Sequence, residues 1–452
     1  MTAAALVGLT ACGSTHAPSP AAPTPNAGTT TATSPSGATP TITDWPTYHG
    51  SNDRRGDADV AALTAPLRRA WSLAVDGALY AQPLVVHGVA IVATENDSVY
   101  AVDVATGAVR WRRHLGTPTP RSQLPCGNID PSGITGTPAY DTTTRQLFVA
   151  TESGDAHHTL FGLDAATGAV RWKRDLDVLS TRDRHAEQQR GAALVASGHV
   201  YIPFGGRDGD CGNYVGYLAS VAATGDGAVT MYAVPTAREA GMWAPPGAAT
   251  GPGGGVYVAT GNGAEVGGHY DDSDSVLRLT PTLHRIALFA PASWSADNAR
   301  DLDLGSMSPA LVGTDVVIAG KRGDVYLLRG SLGGVGGQVA TLGGCAAYGG
   351  AAVHVDIVVL PCSGGLRAMQ VGGSSLRWRW HNSSLSGSPV LVRGAGYAFD
   401  DNGNLVEFDL GTGHARAHVH VGDVTRFTTP VPAGRYVIVG TTSRLVAVTA
   451  GG

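Results

Sequence analysis

Apolar and polar residues alternate along this chain in short runs, each closed by a turn signal. The clearest is Val99 to Arg112, VYAVDVATGAVRWR: a period-two run, an Asp/Gly turn, and a second run ending in Trp. Alternation of this length predicts two strands of one hairpin. Its skeleton is A-x-D-x-x-x-G-x-x-x-W, filled by Ala101, Asp103, Gly107 and Trp111, and it returns at Gly162, Asp164, Gly168 and Trp172. An Asp at that place can accept backbone N–H bonds in the turn, and Gly supplies a left-handed φ. The Trp offers a large apolar face with one N–H donor. These residues are therefore expected to dock neighbouring repeats, not to stack a ligand.

Aligning on Asp103 gives eight repeats, with Asp164, Val221, Thr280, Arg329, Gln370, Asp409 and Thr449 in the same place. The later spacing is close to the roughly 40 residues of a bare four-stranded propeller blade. Trp378 keeps the frame in the sixth repeat; Asp409 and Gly413 keep it in the seventh, where Ala417 replaces Trp. Near the start, LRRAWSL with Trp71 reads as a closing strand that has none before it. Near the end, SRLVAVTA reads as a third strand with no fourth after it. Together they predict an all-β, eight-bladed β-propeller of four-stranded antiparallel blades, the last blade closed by an N-terminal strand. Extra length falls between blades at 116–135, 177–190, 236–247 and 291–307, and within blades at 153–158, 206–215 and 262–275. Long loops on a rigid scaffold are where binding sites tend to lie, so the face over blades one to four is the expected functional face.

Composition sharpens this picture without changing it. Of 452 residues 63 are Gly and 26 are Pro, and few stretches have a helical period, which favours many short strands joined by turns. The formal charge of −5 leaves no basic footprint for nucleic acid. Lys173 and Lys321 are the only lysines among 31 basic residues, a bias that a GC-rich genome would also produce.

Residues 1–12 end in Leu9-Thr10-Ala11-Cys12 after a short apolar run, which reads as a lipoprotein signal with Cys12 as the lipidated residue. A Ser/Thr/Pro/Gly-rich linker over 13–43 would tether a propeller domain over 44–452. The expected location is outside the cytoplasm, anchored by lipid to a bacterial membrane. Cys126, Cys211, Cys345 and Cys362 then remain, an even number suited to an oxidising compartment. Cys345 with Cys362 is the expected local pair, leaving Cys126 with Cys211; a zinc site is the rival, though the chain has no C-x-x-C.

Several polar clusters could carry chemistry. Glu265, Asp271, Asp272 and Asp274 offer oxygen ligands for Ca²⁺ but lack the spacing of a calcium loop, so a solvated turn is the preferred reading. Asp301 and Asp303 could do acid/base work or cap a strand. Arg182, Asp183, Arg184, His185, Glu187 and Arg190 could grip an anion, but a mixed-charge surface loop is preferred. No G-x-S-x-G elbow, P-loop or H-E-x-x-H is present in the sequence.

Through DWPTYHG, VYAVDVATGAVRW, LFGLDAATGAVRW, CGNIDPSGITGTPAYD and GVYVATGNG, the chain resembles the pyrroloquinoline-quinone (PQQ)-like propeller superfamily over about residues 45–450. That superfamily holds both quinoprotein alcohol dehydrogenases and the non-enzymatic lipoprotein of the outer-membrane β-barrel assembly machinery. The dehydrogenases' adjacent cysteine pair is missing here, and Asp301 or Asp303 is the only match for their catalytic base. The expectation is a monomeric binding or assembly scaffold for a protein or cell-envelope partner, without cofactor. The alternative is a dehydrogenase of alcohols or sugars that uses PQQ and Ca²⁺.

Overall fold

The computed structural model describes residues 42–451; Cys12 and most of the linker lie outside them. Eight sheets follow one another along the chain, antiparallel except for one parallel strand added to each of two of them. Blade one is Leu84–Val86, Val89–Ala93, Ser98–Asp103 and Val109–His114, and blade two is Ala139–Asp141, Gln146–Ser153, His157–Asp164 and Val170–Asp175. The chain is an eight-bladed β-propeller with very little helix; its one α-helix among the described residues is Trp294–Asn298. In blade eight, Leu67–Ala74 pairs antiparallel with Arg444–Ala450, Trp71 facing Ala447, so one sheet takes strands from both ends of the described chain.

The repeated frame is mortar between blades. Asp103 Oδ1 accepts the N–H of Ala105 and of Thr106, both at 3.0 Å, and Arg110 pairs with Oδ2 at 2.6 Å. Asp164 does the same with Ala166 and Thr167, and Asp409 with Thr412. Trp71 Nε1 donates to Val104 O of blade one at 2.9 Å, and Trp111 Nε1 to Ala165 O of blade two at 3.2 Å. Each turn glycine lies under the preceding blade's indole: Gly107 (φ 74°) under Trp71, Gly168 (φ 68°) under Trp111, Gly225 (φ 82°) under Trp172. A side chain there would collide with the ring, so both the φ and the close approach require glycine.

Blade six departs from the expected frame. The Trp that covers Gly413 is Trp380, whose Nε1 donates to Leu410 O at 2.8 Å, while Trp378 donates back to Gly343 O of blade five at 3.0 Å. Strand register explains this. Trp111 faces Ala101 and Trp172 faces Gly162, and in blade six it is Trp380 that faces Ala368. Here the strands stay paired up to Gly372 and Ser375, so the hairpin is longer and the frame moves on by two residues.

Residues 45–61 run through the ring interior. Trp45 bridges Val85 of blade one, and Tyr140 of blade two donates its N–H to Pro46 O at 2.8 Å. Thr250, Val353 and Leu391 of blades four, six and seven donate to Asn52, Arg55 and Gly56. Asp57–Ala61 then adds a parallel strand to Ser386–Arg393. This segment explains why DWPTYHGSNDRRG precedes the first blade: its small and hydrogen-bonding residues satisfy inward-facing backbone groups of most blades at once.

Candidate functional site

An axial cavity of about 820 Å³ opens among the loops. Its walls come from both halves of the ring, so the site is not confined to blades one to four: Tyr348 and Thr425–Phe427 join Tyr80 and Trp243. The aromatic surface is Tyr80, Trp243, Tyr348 and Phe427; the cations are Arg190, Arg207, Lys321 and Arg426; the acids are Asp208, Asp210, Asp301 and Asp303.

Trp243 is the centre of this arrangement. The Arg190 guanidinium lies 5.1 Å from its ring centre and the Lys321 ammonium 5.8 Å, both within cation–π range. Arg190 donates one bond to Gly206 O at 3.0 Å, and its Nε is buried with no hydrogen-bond partner among the described residues. Burial pulls its pKa down, opposed by Asp210 and Asp208. Arg426 lies 4.5 Å above the Tyr348 ring. A cavity that sets half-buried cations against the face of Trp243 favours a planar anion.

Asp303 is 2 % exposed at the segment joining blades four and five. Its Oδ1 accepts the Asn262 N–H at 2.6 Å, and its Oδ2 is 2.5 Å from Lys321 Nζ. Gly261 makes that approach possible, because a Cβ there would strike the carboxylate. Burial raises the Asp303 pKa, with Lys321 opposing. Lys321 also reaches Asp301 at 2.6 Å. The two carboxylates singled out in the sequence thus meet on one ammonium.

The four acids considered for calcium do not converge. Asp271 accepts from Ser273 Oγ at 2.6 Å, and Asp272 holds Tyr232 at 2.6 Å and Arg285 at 2.7 Å. Asp274 accepts the Leu304 N–H at 2.9 Å, and Glu265 folds onto its own loop at Gly267 and Gly268. Each carboxylate already serves a different donor. Among the described residues no three His, Cys, Asp or Glu side chains are placed to hold a metal ion. The charged loop over 182–190 is likewise knitted to its neighbours: Arg182 to Ala237 O, Arg184 and His185 to Asp155.

Beside the cavity lies a buried ionic chain that no motif signals. Arg207 pairs with Glu152 at 2.7 Å, His158 Nε2 is 3.6 Å from Glu152, and His158 Nδ1 is 2.8 Å from Asp177. Burial would lower the His158 pKa, but Asp177 and Glu152 outweigh it and lift it to about 9. Glu95 and Asp97 are buried nearby and pushed up to about 8, first by burial and then by neighbouring acids. The disulfide Cys126–Cys211 ties the 121–131 loop to the cavity wall at Asp208–Asp210, and Cys345–Cys362 closes a second loop. Trp243, Arg190 and Lys321 fall outside the repeat frame. The sequence signalled them only indirectly: Arg190 and Trp243 fall in the long interblade loops 177–190 and 236–247, Arg190 in the charged loop considered for an anion, and Lys321 is one of two lysines.

Residues 54–207 match the family described as outer membrane protein assembly factor BamB. Quinohemoprotein alcohol dehydrogenase from Comamonas testosteroni superposes with a TM-score of 0.71 at 17% identity, over 90% of this chain and 81% of that one. BamB from Moraxella catarrhalis gives 0.61 at 15% identity, over 85% and 100%. A europium-containing methanol dehydrogenase gives 0.69 at 14%, over 90% and 98%. No curated protein matches the chain by sequence. The chain is an eight-bladed propeller, and its fold is shared by a BamB assembly factor and by quinohemoprotein and methanol dehydrogenases.

Proposed function

We propose that the axial cavity binds a planar, anionic quinone of the PQQ type and that the chain is an exported oxidoreductase acting on an alcohol or sugar. The observation that carries this reading is Trp243 with the cations Arg190 and Lys321 against it and the buried carboxylate Asp303 beside it. Arg190 lines the cavity beside Trp243, where its guanidinium would meet a ligand carboxylate. A quinone held there would supply a two-electron oxidant. Asp303, its pKa raised by burial, would take the proton from the substrate hydroxyl, and Lys321 would hold that carboxylate in place. The donor set does not fit a divalent cation, and no step is routed through one.

The match of residues 54–207 to an assembly factor supports a second reading, a scaffold for an envelope protein partner. In either case two disulfides favour an extracytoplasmic location, and no helix among the described residues is long and apolar enough to cross a membrane. A lipid anchor at Cys12 would place either protein at a membrane surface. Titration with PQQ, read by absorbance and by dye-linked oxidation of alcohols and sugars, separates the two. Binding with turnover, lost in Asp303→Asn, supports the oxidoreductase. Absence of binding overturns it and leaves the scaffold, to be tested by co-purification of an envelope partner.

A further inference from the structure

The quinone reading carries an expectation of Ca²⁺ that this chain's own residues answer differently. Lys321 Nζ stands 2.6 Å from Asp301 Oδ1 and 2.5 Å from Asp303 Oδ2, so one ammonium lies where two carboxylates would share a cation. The remaining Asp303 oxygen is taken by the Asn262 N–H at 2.6 Å, and the Asn262 side-chain amide is turned toward Glu239. Lys321 is fixed from its backbone as well, its N–H donating to Asp303 O at 2.8 Å. A second cation in this place would meet the ammonium at close range, beside Asp303, whose burial strengthens like-charge repulsion there.

The residue type matters. Of 31 basic residues only Lys173 and Lys321 are lysines, and Lys173 is on an outer strand of blade two. An ammonium is a compact point charge with three donors, able to sit between two carboxylates and still present a proton to a third acceptor. A guanidinium is a planar fork that would fill the cavity beside Trp243.

We propose that Lys321 is a built-in cation: it takes the place of a divalent ion between Asp301 and Asp303, and its third donor binds the ligand anion at Trp243. The site then holds its anionic ligand without calcium. The metal half stands on the carboxylate geometry; the ligand half rests on the quinone reading.

The experiment has two arms, so the two claims fail separately. In the first, chelator-stripped protein is titrated with calcium alone, followed by calorimetry and thermal melting. The wild type is expected to show no binding and no change in Tm. Lys321→Ala and the closer-sized Lys321→Gln are expected to acquire a calcium-dependent rise in Tm, lost again when Asp301→Asn is added. Calcium binding by the wild type, or no calcium response in either Lys321 variant, overturns the inference. In the second arm PQQ is titrated with and without chelator. Affinity is expected to be unchanged by chelator and to fall at least about tenfold in Lys321→Gln, the loss of one charge-assisted hydrogen bond. PQQ binding that needs calcium overturns the inference. No PQQ binding under any condition overturns the quinone reading, and the calcium arm still decides the role of Lys321.

Discussion

Arg54 donates from Nε to the carbonyl oxygen of Ala248, 3.0 Å away and 194 residues later in the chain. Its other nitrogens reach Ala193 O at 2.9 Å, Tyr48 O at 3.2 Å and Thr47 Oγ1 at 2.5 Å, and the residue is 3 % exposed. One side chain thus fastens the 45–61 segment to blades three and four. Replacing it by Ala strands several buried acceptors, each worth roughly 1–3 kcal/mol when left unmade. Arg54→Ala is expected to lower Tm markedly in thermal denaturation; an unchanged Tm would refute the fastening role.

The turn glycines offer a controlled comparison. Gly168 (φ 68°) has the Trp111 ring where a Cβ would go, whereas Gly227 (φ 74°) has nothing within 4 Å. Both substitutions to Ala carry the left-handed cost of about 1–2 kcal/mol. Gly168→Ala is expected to cost more, because the indole of the preceding blade must also move. Equal losses by denaturant titration would show that the Trp contact contributes nothing.

Glu95 and Asp97 make stability fall with pH. Their folded pKa values, about 8, lie above the usual carboxylate range, so the folded state favours their protons. Their contribution is fully present below about pH 4 and is lost as pH rises to about 8. Asp97→Asn or Glu95→Gln should therefore raise Tm more at pH 8 than at pH 5. A gain independent of pH would place the effect elsewhere.

His158 acts over a higher window. Its pKa is lifted to about 9 by the carboxylates of Asp177 and Glu152, which overcome burial. The stabilisation is complete below about pH 6.5 and lost as pH passes 9. His158→Gln should destabilise the protein strongly at pH 6 and progressively less toward pH 10. An NMR titration placing the imidazole near its ordinary value would contradict this.

The two disulfides should differ in worth. Cys126–Cys211 closes 85 residues and Cys345–Cys362 closes 17. On the chain-entropy estimate these are worth about 4.6 and about 3 kcal/mol. Cys126→Ser with Cys211→Ser is expected to cost more than Cys345→Ser with Cys362→Ser in urea denaturation, and also to loosen the cavity wall at Asp208–Asp210.

Much of the fold was legible because it is local and repeated. Period-two alternation marks strands, the Asp/Gly turn marks each hairpin, and eight aligned positions give eight blades. Disulfide pairing followed from counting and nearness. Where the hairpin lengthened, pairing up to Gly372 and Ser375, the same reasoning placed the docking indole on Trp378 two residues early, because register depends on pairing across strands and not on spacing along one.

The site was legible only in fragments. Asp301 and Asp303 stood out as acids, but their partner Lys321 lies in the next blade's loop, and Trp243 and Arg190 belong to two others. Ring closure alone brings these residues onto one axis. The sequence determined the architecture, since every blade but the eighth, which also takes Leu67–Ala74, is built mainly from one continuous stretch of chain. The tertiary structure decided the chemistry, because the charges of the cavity meet across the ring, where separation along the chain carries no information about distance.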